Sequence, residues 1–187
     1  VPLKDSNNEI IGVMCLLDDK PMMDNPPIDL LKSVAVRASI ELERQNANET
    51  RKLSSRVFSE SHEGIIITDT QGHIVDVNPT FCTITGYSHE EIIGHTPSLL
   101  SSGNHEQDFY HDMWNKLSKD GHWQGEISNR KKSGELYIEL LNISSLKNDA
   151  GEIINYVGIF TDITQNKEQQ RQLELMAHYD VLTQLPN

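Results

Sequence analysis

Apolar residues fall in short runs through the middle of the chain and predict an antiparallel β-sheet. The runs at 65–67 and 74–77 flank a turn that ends in Gly72, which predicts a hairpin. Asn78 and Pro79 then end the second strand and open a short helix, since Asn caps helices and Pro suits their first turn. Longer strand patterns follow at 122–131, 135–146 and 152–163, and their short Gly-containing connections predict antiparallel neighbours.

Helical patterns interrupt and flank these strands. Ser88 and Glu91 have the spacing of a capping box, and Phe109, Met113 and Leu117 share one face of a later helix. The combination predicts an α+β fold with a five-stranded antiparallel sheet and short helices on one face.

A long helix over 29–61 precedes the sheet, and a polar helix over 165–177 follows it. The apolar stripe of the first helix ends after Leu42, which is typical of a linker helix that bridges solvent or pairs with a second copy. A shorter helix followed by a loop is the alternative for the middle section.

Strand periodicity predicts how the sheet is covered. In the first long strand Trp123, Ile127 and Asn129 share one face, and polar residues occupy the other. The second long strand carries apolar residues on both faces, with Glu139 on the same face as Tyr137. Helices of the domain would cover one face, and a linker helix or second subunit would cover the other.

Composition narrows the function classes. A net charge of −12 over 187 residues argues against nucleic acid as the main partner. The two cysteines, Cys15 and Cys82, lack paired spacing, so we expect a reducing cytoplasmic compartment, and no apolar run predicts a membrane span. No catalytic, phosphate-binding or metal-binding motif occurs, so we expect this stretch of chain to be neither an enzyme nor a metal site.

The central sequence resembles a known family. The stretches EGIIITDTQGHIVDVNPTFCTITGYSHEEIIG, HWQGEISNRKKSGELY and YVGIFTDIT follow in the order and spacing of PAS sensory domains, over about 57–164. The resemblance implies a PAS fold flanked by linker helices, with a ligand cavity between the sheet and the short helices.

The two ends resemble other signalling modules. The VPL…GVM pattern is similar to the last strand pair of a GAF domain, and HYDVLTQLPN resembles the start of a GGDEF domain, with Gln184 in place of the usual Gly. These likenesses imply a GAF-like segment at 1–44, linker helices at 45–58 and 166–179 around a PAS domain at 59–165, and a GGDEF start at 180–187. The parent would be a diguanylate cyclase, with or without an EAL phosphodiesterase domain.

A flavin, FAD or FMN, is the first cofactor hypothesis. Some redox-sensing PAS domains with a similar W…WxGxxxNRRK stretch bind FAD, and Trp114, Trp123 and Asn129 fall at the matching positions, with Glu139 as a further contact. The alternative is that Trp114 is a core residue and Asn129 bonds backbone.

Two other PAS chemistries are disfavoured. Blue-light LOV domains form a cysteine adduct, but Pro97 stands in the place of that cysteine and Phe160 in the place of the usual glutamine. Haem would need a histidine such as His111, which lies among polar neighbours and is better explained as a surface residue.

The resemblance implies a sensory module that relays a ligand or redox signal to a cyclic di-GMP output. Asp162, Ile163 and Thr164 would form the junction between the last strand and the exit helix. We expect a homodimer through the outer sheet face and the linker helices. The alternatives are a ligand-free dimerisation and spacer module, or the input module of a histidine kinase.

Overall fold

The computed structural model describes residues 1–13 and 28–178 of the chain. The chain divides into two compact units, Val1–Val57 and a second that begins at Phe58. The residues between the first two strands and the long helix, as well as the predicted GGDEF start, lie outside the described residues.

The first unit holds a small hairpin and most of a long helix. Strands β1 (Pro2–Lys4) and β2 (Ile10–Val13) pair antiparallel, and helix α1 runs over Ile28–Glu60. Leu3 and Ala35 are buried, and the Ser6 N–H donates to the Glu43 carboxylate. The predicted long helix over 29–61 is therefore confirmed, including the polar middle section.

The second unit is built on one antiparallel sheet. Its strands are β3 (Gly64–Thr68), β4 (Ile74–Val77), β5 (His122–Arg130), β6 (Leu136–Lys147) and β7 (Ile153–Asp162). They lie in the order β4-β3-β7-β6-β5. The β3–β4 hairpin therefore joins the sheet with β3 beside β7, and β5 forms an edge. The predicted α+β class with a five-stranded antiparallel sheet is confirmed.

Local sequence chemistry sets the helix boundaries. The helices of this unit are α2 (Pro79–Thr85), α3 (His89–Ile92), α4 (Gln107–Asp120) and α5 (Thr164–His178), with a 3₁₀ turn at Pro97–Leu100. Asn78 accepts from the Phe81 N–H at the start of α2, and Ser88 and Glu91 make both bonds of the capping box on α3. Gly121 ends α4 at a φ of 77°, a conformation that glycine adopts without strain.

The core lies between the helices and one face of the sheet. One buried cluster centres on Phe81, Tyr137 and Phe160, with the Phe81 and Phe160 rings edge to face at 5.7 Å. A second joins Met113 and Leu117 of α4 to Trp123 and Ile127 of β5. This is the sheet face that the strand periodicity predicts to be buried.

Candidate functional site

A cavity of about 450 Å³ opens within the second unit, between the inner face of the sheet and the helical layer. Its sheet wall includes Ile127, Leu141 and Phe160, and its helical wall includes Leu100 and Tyr110. The volume lies within the range of small-molecule sites in proteins, which is about 300–1,000 Å³. The lining is largely apolar, so the few polar groups in it decide which ligands fit.

Asn129 and Glu139 form the buried polar pair of this cavity. They lie on the paired strands β5 and β6, and Glu139 faces Ile127 in the register, so the two side chains are diagonal neighbours. Asn129 Nδ2 donates to Glu139 Oε1 at 3.0 Å, and the residues are only 8% and 3% exposed. The sequence left open that the Asn129 side chain bonds backbone. Its amide nitrogen instead bonds the Glu139 carboxyl.

Two buried polar atoms at this site have no hydrogen-bond partner among the described residues. They are Glu139 Oε2 and the hydroxyl of Tyr137, which lies on the same strand face. A buried polar group without a partner costs about 1–3 kcal/mol. The site is therefore incomplete in hydrogen bonding, and a ligand with a polar edge would complete it.

The protonation state of Glu139 follows from its surroundings. Burial raises its pKa from 4.5 to about 7, and the negative charge of Asp162, opposite it on β7, acts in the same direction. The Tyr137 hydroxyl and the Asn129 amide act against that increase. Near neutral pH the carboxyl is thus divided between a form that donates a hydrogen bond and a form that only accepts.

The two tryptophans have different positions. Trp114 lines the cavity, is 42% exposed and meets the Tyr156 ring edge to face at 5.5 Å. Trp123 does not line the cavity and packs instead under α4, edge to face with Phe109 at 6.0 Å. A Cβ at Gly125 would lie 2.6 Å from the Trp123 indole, so the W-x-G spacing lets this ring lie flat along β5.

The structure also places the residues at which LOV photochemistry or haem binding would be expected. Pro97 and Phe160 line the cavity, so neither a cysteine nor a glutamine is present at those points of the wall. His111 is exposed on α4, where its Nδ1 lies 3.1 Å from Asn115 Nδ2. In the described ranges no three His, Cys, Asp or Glu side chains come together as a metal site.

The junction between β7 and α5 is tied directly to β6. Asp162 Oδ1 accepts from the Thr164 N–H at 3.0 Å and from the Thr164 hydroxyl at 2.5 Å. The Ile163 N–H donates to the Ile138 carbonyl at 2.8 Å, and the Ile138 N–H donates to Thr164 Oγ1 at 2.8 Å. Asp162 thus bonds Thr164, and both Ile163 and Thr164 bond Ile138. Ile138 directly precedes Glu139 on β6.

Asn78 makes more hydrogen bonds than the single helix cap that the sequence predicts. As predicted it caps α2, but its Oδ1 also accepts from the Ile65 N–H at 2.9 Å. Its Nδ2 donates to the Phe58 carbonyl at 3.1 Å and the Glu63 carbonyl at 2.9 Å. The fully buried amide thus fastens β3 and α2 to the last turn of α1.

The sequence does not single out several cavity residues as site residues. They are apolar or aromatic residues whose strand parity or helix position was the only available indication: Tyr110, Met113, Leu141, Ile143 and Tyr156. Parity assigns a residue to the inner face but does not separate a cavity wall from the packed core.

No helix among the described residues is long and apolar enough to cross a membrane.

Comparison with known proteins supports one family. The family model described as PAS domain matches residues 62–165. The chain is 31% identical over 109 residues to a nitrogen fixation regulatory protein of Klebsiella oxytoca, which covers 58% of this chain and 22% of that protein. It is 33% identical over 132 residues to the signal transduction histidine-protein kinase AtoS of Escherichia coli, covering 69% of this chain and 21% of the kinase.

Solved structures agree in fold. A PAS domain from Colwellia psychrerythraea matches with a TM-score of 0.59 and 26% identity, over 62% of this chain and 98% of that one. An RNA-binding light-oxygen-voltage receptor matches with a TM-score of 0.61 and 23% identity, over 68% of this chain and 37% of that one. The chain spans only about a fifth of its curated relatives. Because the family model covers more than half of the chain and the predicted PAS fold is confirmed, the chain belongs to the PAS domain family.

Proposed function

We propose that this PAS module senses a small molecule in the cavity and relays its presence through β6 to an output domain. The signal would pass through the β7–α5 junction at Asp162, Ile163 and Thr164, called the exit junction below. The observation that carries the proposal is the unpartnered Oε2 of Glu139, a buried polar atom of a residue that lines the cavity. The relatives named above are themselves regulatory and signalling proteins, which supports a sensory role.

The relay would run through the backbone of β6. Glu139 follows Ile138, whose N–H and carbonyl both bond the exit junction. A ligand that repositions the Glu139 carboxyl would strain this strand and shift the start of α5. Such a shift changes the population of two helix arrangements and needs no chemistry in the PAS domain itself.

Flavin, as FMN or FAD, is our first candidate ligand. Its ring edge alternates N–H and carbonyl groups, which fits the Asn129 amide and the Glu139 carboxyl, and Trp114 would lie beside the ring system. When bound, it would supply a redox state that the polar pair can sense. Trp123 would act only indirectly, through the packing of α4 on β5. Haem and a cysteine adduct are disfavoured, because His111 is exposed on α4 and Pro97 stands in the place of the adduct cysteine.

The absorption spectrum of freshly purified protein tests the ligand proposal. We expect a flavin spectrum that Asn129→Ala abolishes and that Thr83→Ala, an exposed change on α2, leaves unchanged. A colourless wild-type protein from which mass spectrometry extracts no small molecule would instead support the spacer alternative. A colourless protein that releases another small molecule would retain the sensor and reject flavin.

The output domain is proposed from the sequence that follows the exit helix. The DVLTQLPN stretch favours a GGDEF domain and a cyclic di-GMP output, with a GAF-like segment preceding the PAS domain. The match to a histidine kinase favours the alternative output. Incubating the full protein with GTP or with ATP separates the two, through cyclic di-GMP formation or autophosphorylation. In either case Asp162→Ala should uncouple the response to ligand, and an unchanged response would remove Asp162 from the relay.

We further propose a cytoplasmic homodimer that pairs through the outer sheet face and the linker helices. The outer face carries a patch of half-buried apolar residues: Ile65, Ile67, Ile138, Leu140, Val157 and Ile159. Leu140→Arg should shift the protein toward monomer in light scattering, while Asp112→Arg on the exposed side of α4 should not. A protein that stays dimeric with Leu140→Arg would place the contact elsewhere.

A further inference from the structure

We infer that residues 101–105 form a pH-sensitive latch, which fastens the helical wall of the cavity to the edge strand β5 and releases it when His105 is protonated. These residues join the 3₁₀ turn to α4, and both of those elements line the cavity. The inference rests on the proposed function only for its consequence for ligand access. The latch itself is defined without any ligand.

The latch converges on Ser128. The Ser128 N–H donates to His105 Nε2 at 2.8 Å, and Ser102 Oγ donates to the Ser128 carbonyl at 2.5 Å. Asn104 Nδ2 donates to the Ser128 hydroxyl at 3.0 Å. Three side chains of one loop thus use the N–H, the carbonyl and the hydroxyl of a single residue.

The edge position explains why these groups are available. Among the described strands, β5 has β6 as its one neighbour, so alternate residues of β5 turn their N–H and carbonyl toward the other edge. Open strand edges need covering groups, and here loop side chains supply them. Arg130, two residues further along, reinforces the loop by donating to the Ser102 carbonyl at 3.0 Å.

The latch lies beside the polar pair of the cavity. Ser101 makes an isolated bridge to Asn129, the residue after Ser128, and both Ser101 and Asn129 line the cavity. Ser101 Oγ also lies 3.4 Å from the Tyr110 hydroxyl. Releasing the loop would therefore loosen the wall next to the Asn129 and Glu139 side chains.

Proton sensitivity follows from the direction of the His105 bond. A backbone N–H can only donate, so Nε2 must be unprotonated and the ring proton must lie on Nδ1. A protonated imidazole has no acceptor, and the Ser128 N–H would lose its partner. Histidine is the side chain that ordinarily changes charge between about pH 5 and 8.

The ring is held in place for this role by aromatic contacts. It stacks on Phe109 with centroids 4.3 Å apart and meets Tyr110 edge to face at 6.2 Å. Glu126, on the same strand as Ser128, forms an ion pair with Lys167, with 2.7 Å between its Oε1 and Lys167 Nζ. On α4 with its N-cap residue and on β5, the ionisable side chains within five residues of His105 or Ser128 are Glu106, Asp108, Tyr110, Glu126 and Arg130. Those further along the two elements are His111, Asp112, Lys116, Lys119, Asp120 and His122.

Amide hydrogen exchange of the whole chain, followed by NMR at pH 7.5 and 5.5, tests the latch. In the wild type we expect the protection factor of the Ser128 amide, corrected for its intrinsic rate, to fall roughly tenfold on acidification, as expected for one lost hydrogen bond. Amides of the central strand β7 control for global unfolding. His105→Gln, whose side-chain oxygen also accepts but does not titrate, should keep the protection nearly constant.

His111→Gln on the exposed side of α4 is the matched control and should behave as the wild type. Unchanged wild-type protection, or an equal loss in His105→Gln, would overturn the latch. Nitrogen chemical shifts of the wild-type ring provide a readout that needs no variant. At pH 7.5 they should show the proton on Nδ1, and a proton on Nε2 would refute the inference. None of these outcomes depends on whether the cavity binds a ligand.

Discussion

Glu139→Gln isolates the cost of burying an ionisable group in the cavity. Gln has the same shape as the protonated carboxyl and keeps an oxygen for the Asn129 amide, whose bond to Glu139 is 3.0 Å long. It cannot ionise, so the substitution removes the charge while leaving the packing of β6 against the helices unchanged. Any pH-dependent difference in stability between the two proteins then reports on the Glu139 charge.

The magnitude follows from the raised pKa. Between 4.5 and about 7 the folded protein retains a proton on Glu139 that the unfolded chain has released. The folded state therefore binds more protons than the unfolded state, and the free energy of unfolding falls as pH rises. The rise of the Glu139 pKa from 4.5 to about 7 corresponds to a loss of about 3 kcal/mol in the free energy of unfolding. This loss is absent below pH 4.5 and complete above pH 7.

Urea unfolding at pH 5 and pH 8 measures the effect. We expect Glu139→Gln to match the wild type within about 1 kcal/mol at pH 5 and to exceed its stability by about 3 kcal/mol at pH 8. Glu90→Gln, an exposed change in the first turn of α3, should follow the wild type at both pH values. A constant difference across pH, or a variant less stable at pH 8 than the wild type, would refute the reasoning.

Two further substitutions test a buried hydrogen-bond network and a close backbone contact in the second unit. Asn78→Ala removes four hydrogen bonds of a fully buried side chain and should lower the free energy of unfolding by about 3 kcal/mol or more, against a small effect for the exposed control Thr83→Ala in the same urea assay. Gly64→Ala places a Cβ 2.4 Å from the Phe160 ring and should cost about 1–3 kcal/mol. Adding Phe160→Leu should recover part of that loss, and a purely additive double variant would contradict the steric explanation.

The proposed ligand sensing and the proposed latch would give one cavity two separate responses. The Glu139 carboxyl sits on the strand that bonds the exit junction, and the Ser128 latch sits on the neighbouring edge strand. The first response would follow a ligand or its redox state, and the second would follow protons. Variants of Glu139 and of His105 should therefore have separable effects.

Sequence alone determined most elements of the second unit and their approximate boundaries, because the forces that set them act over a few residues. Strand parity placed Trp123, Ile127 and Asn129 on the buried face, as observed. The caps at Asn78 and Ser88 were equally legible, since a capping side chain bonds an N–H only two or three positions along the chain. Family motifs then supplied the fold.

Tertiary structure decided which residues meet across strands and loops. Asn129 and Glu139 are ten positions apart, and only the β5–β6 register makes them partners. The same parity that buries Trp123 buries Asn129, yet one ring packs under α4 while the amide lines the cavity. The hydrogen bonds of Ser102 and His105 to Ser128 join residues more than twenty positions apart. Such contacts depend on how separate elements pack, and no short-range pattern in the sequence encodes them.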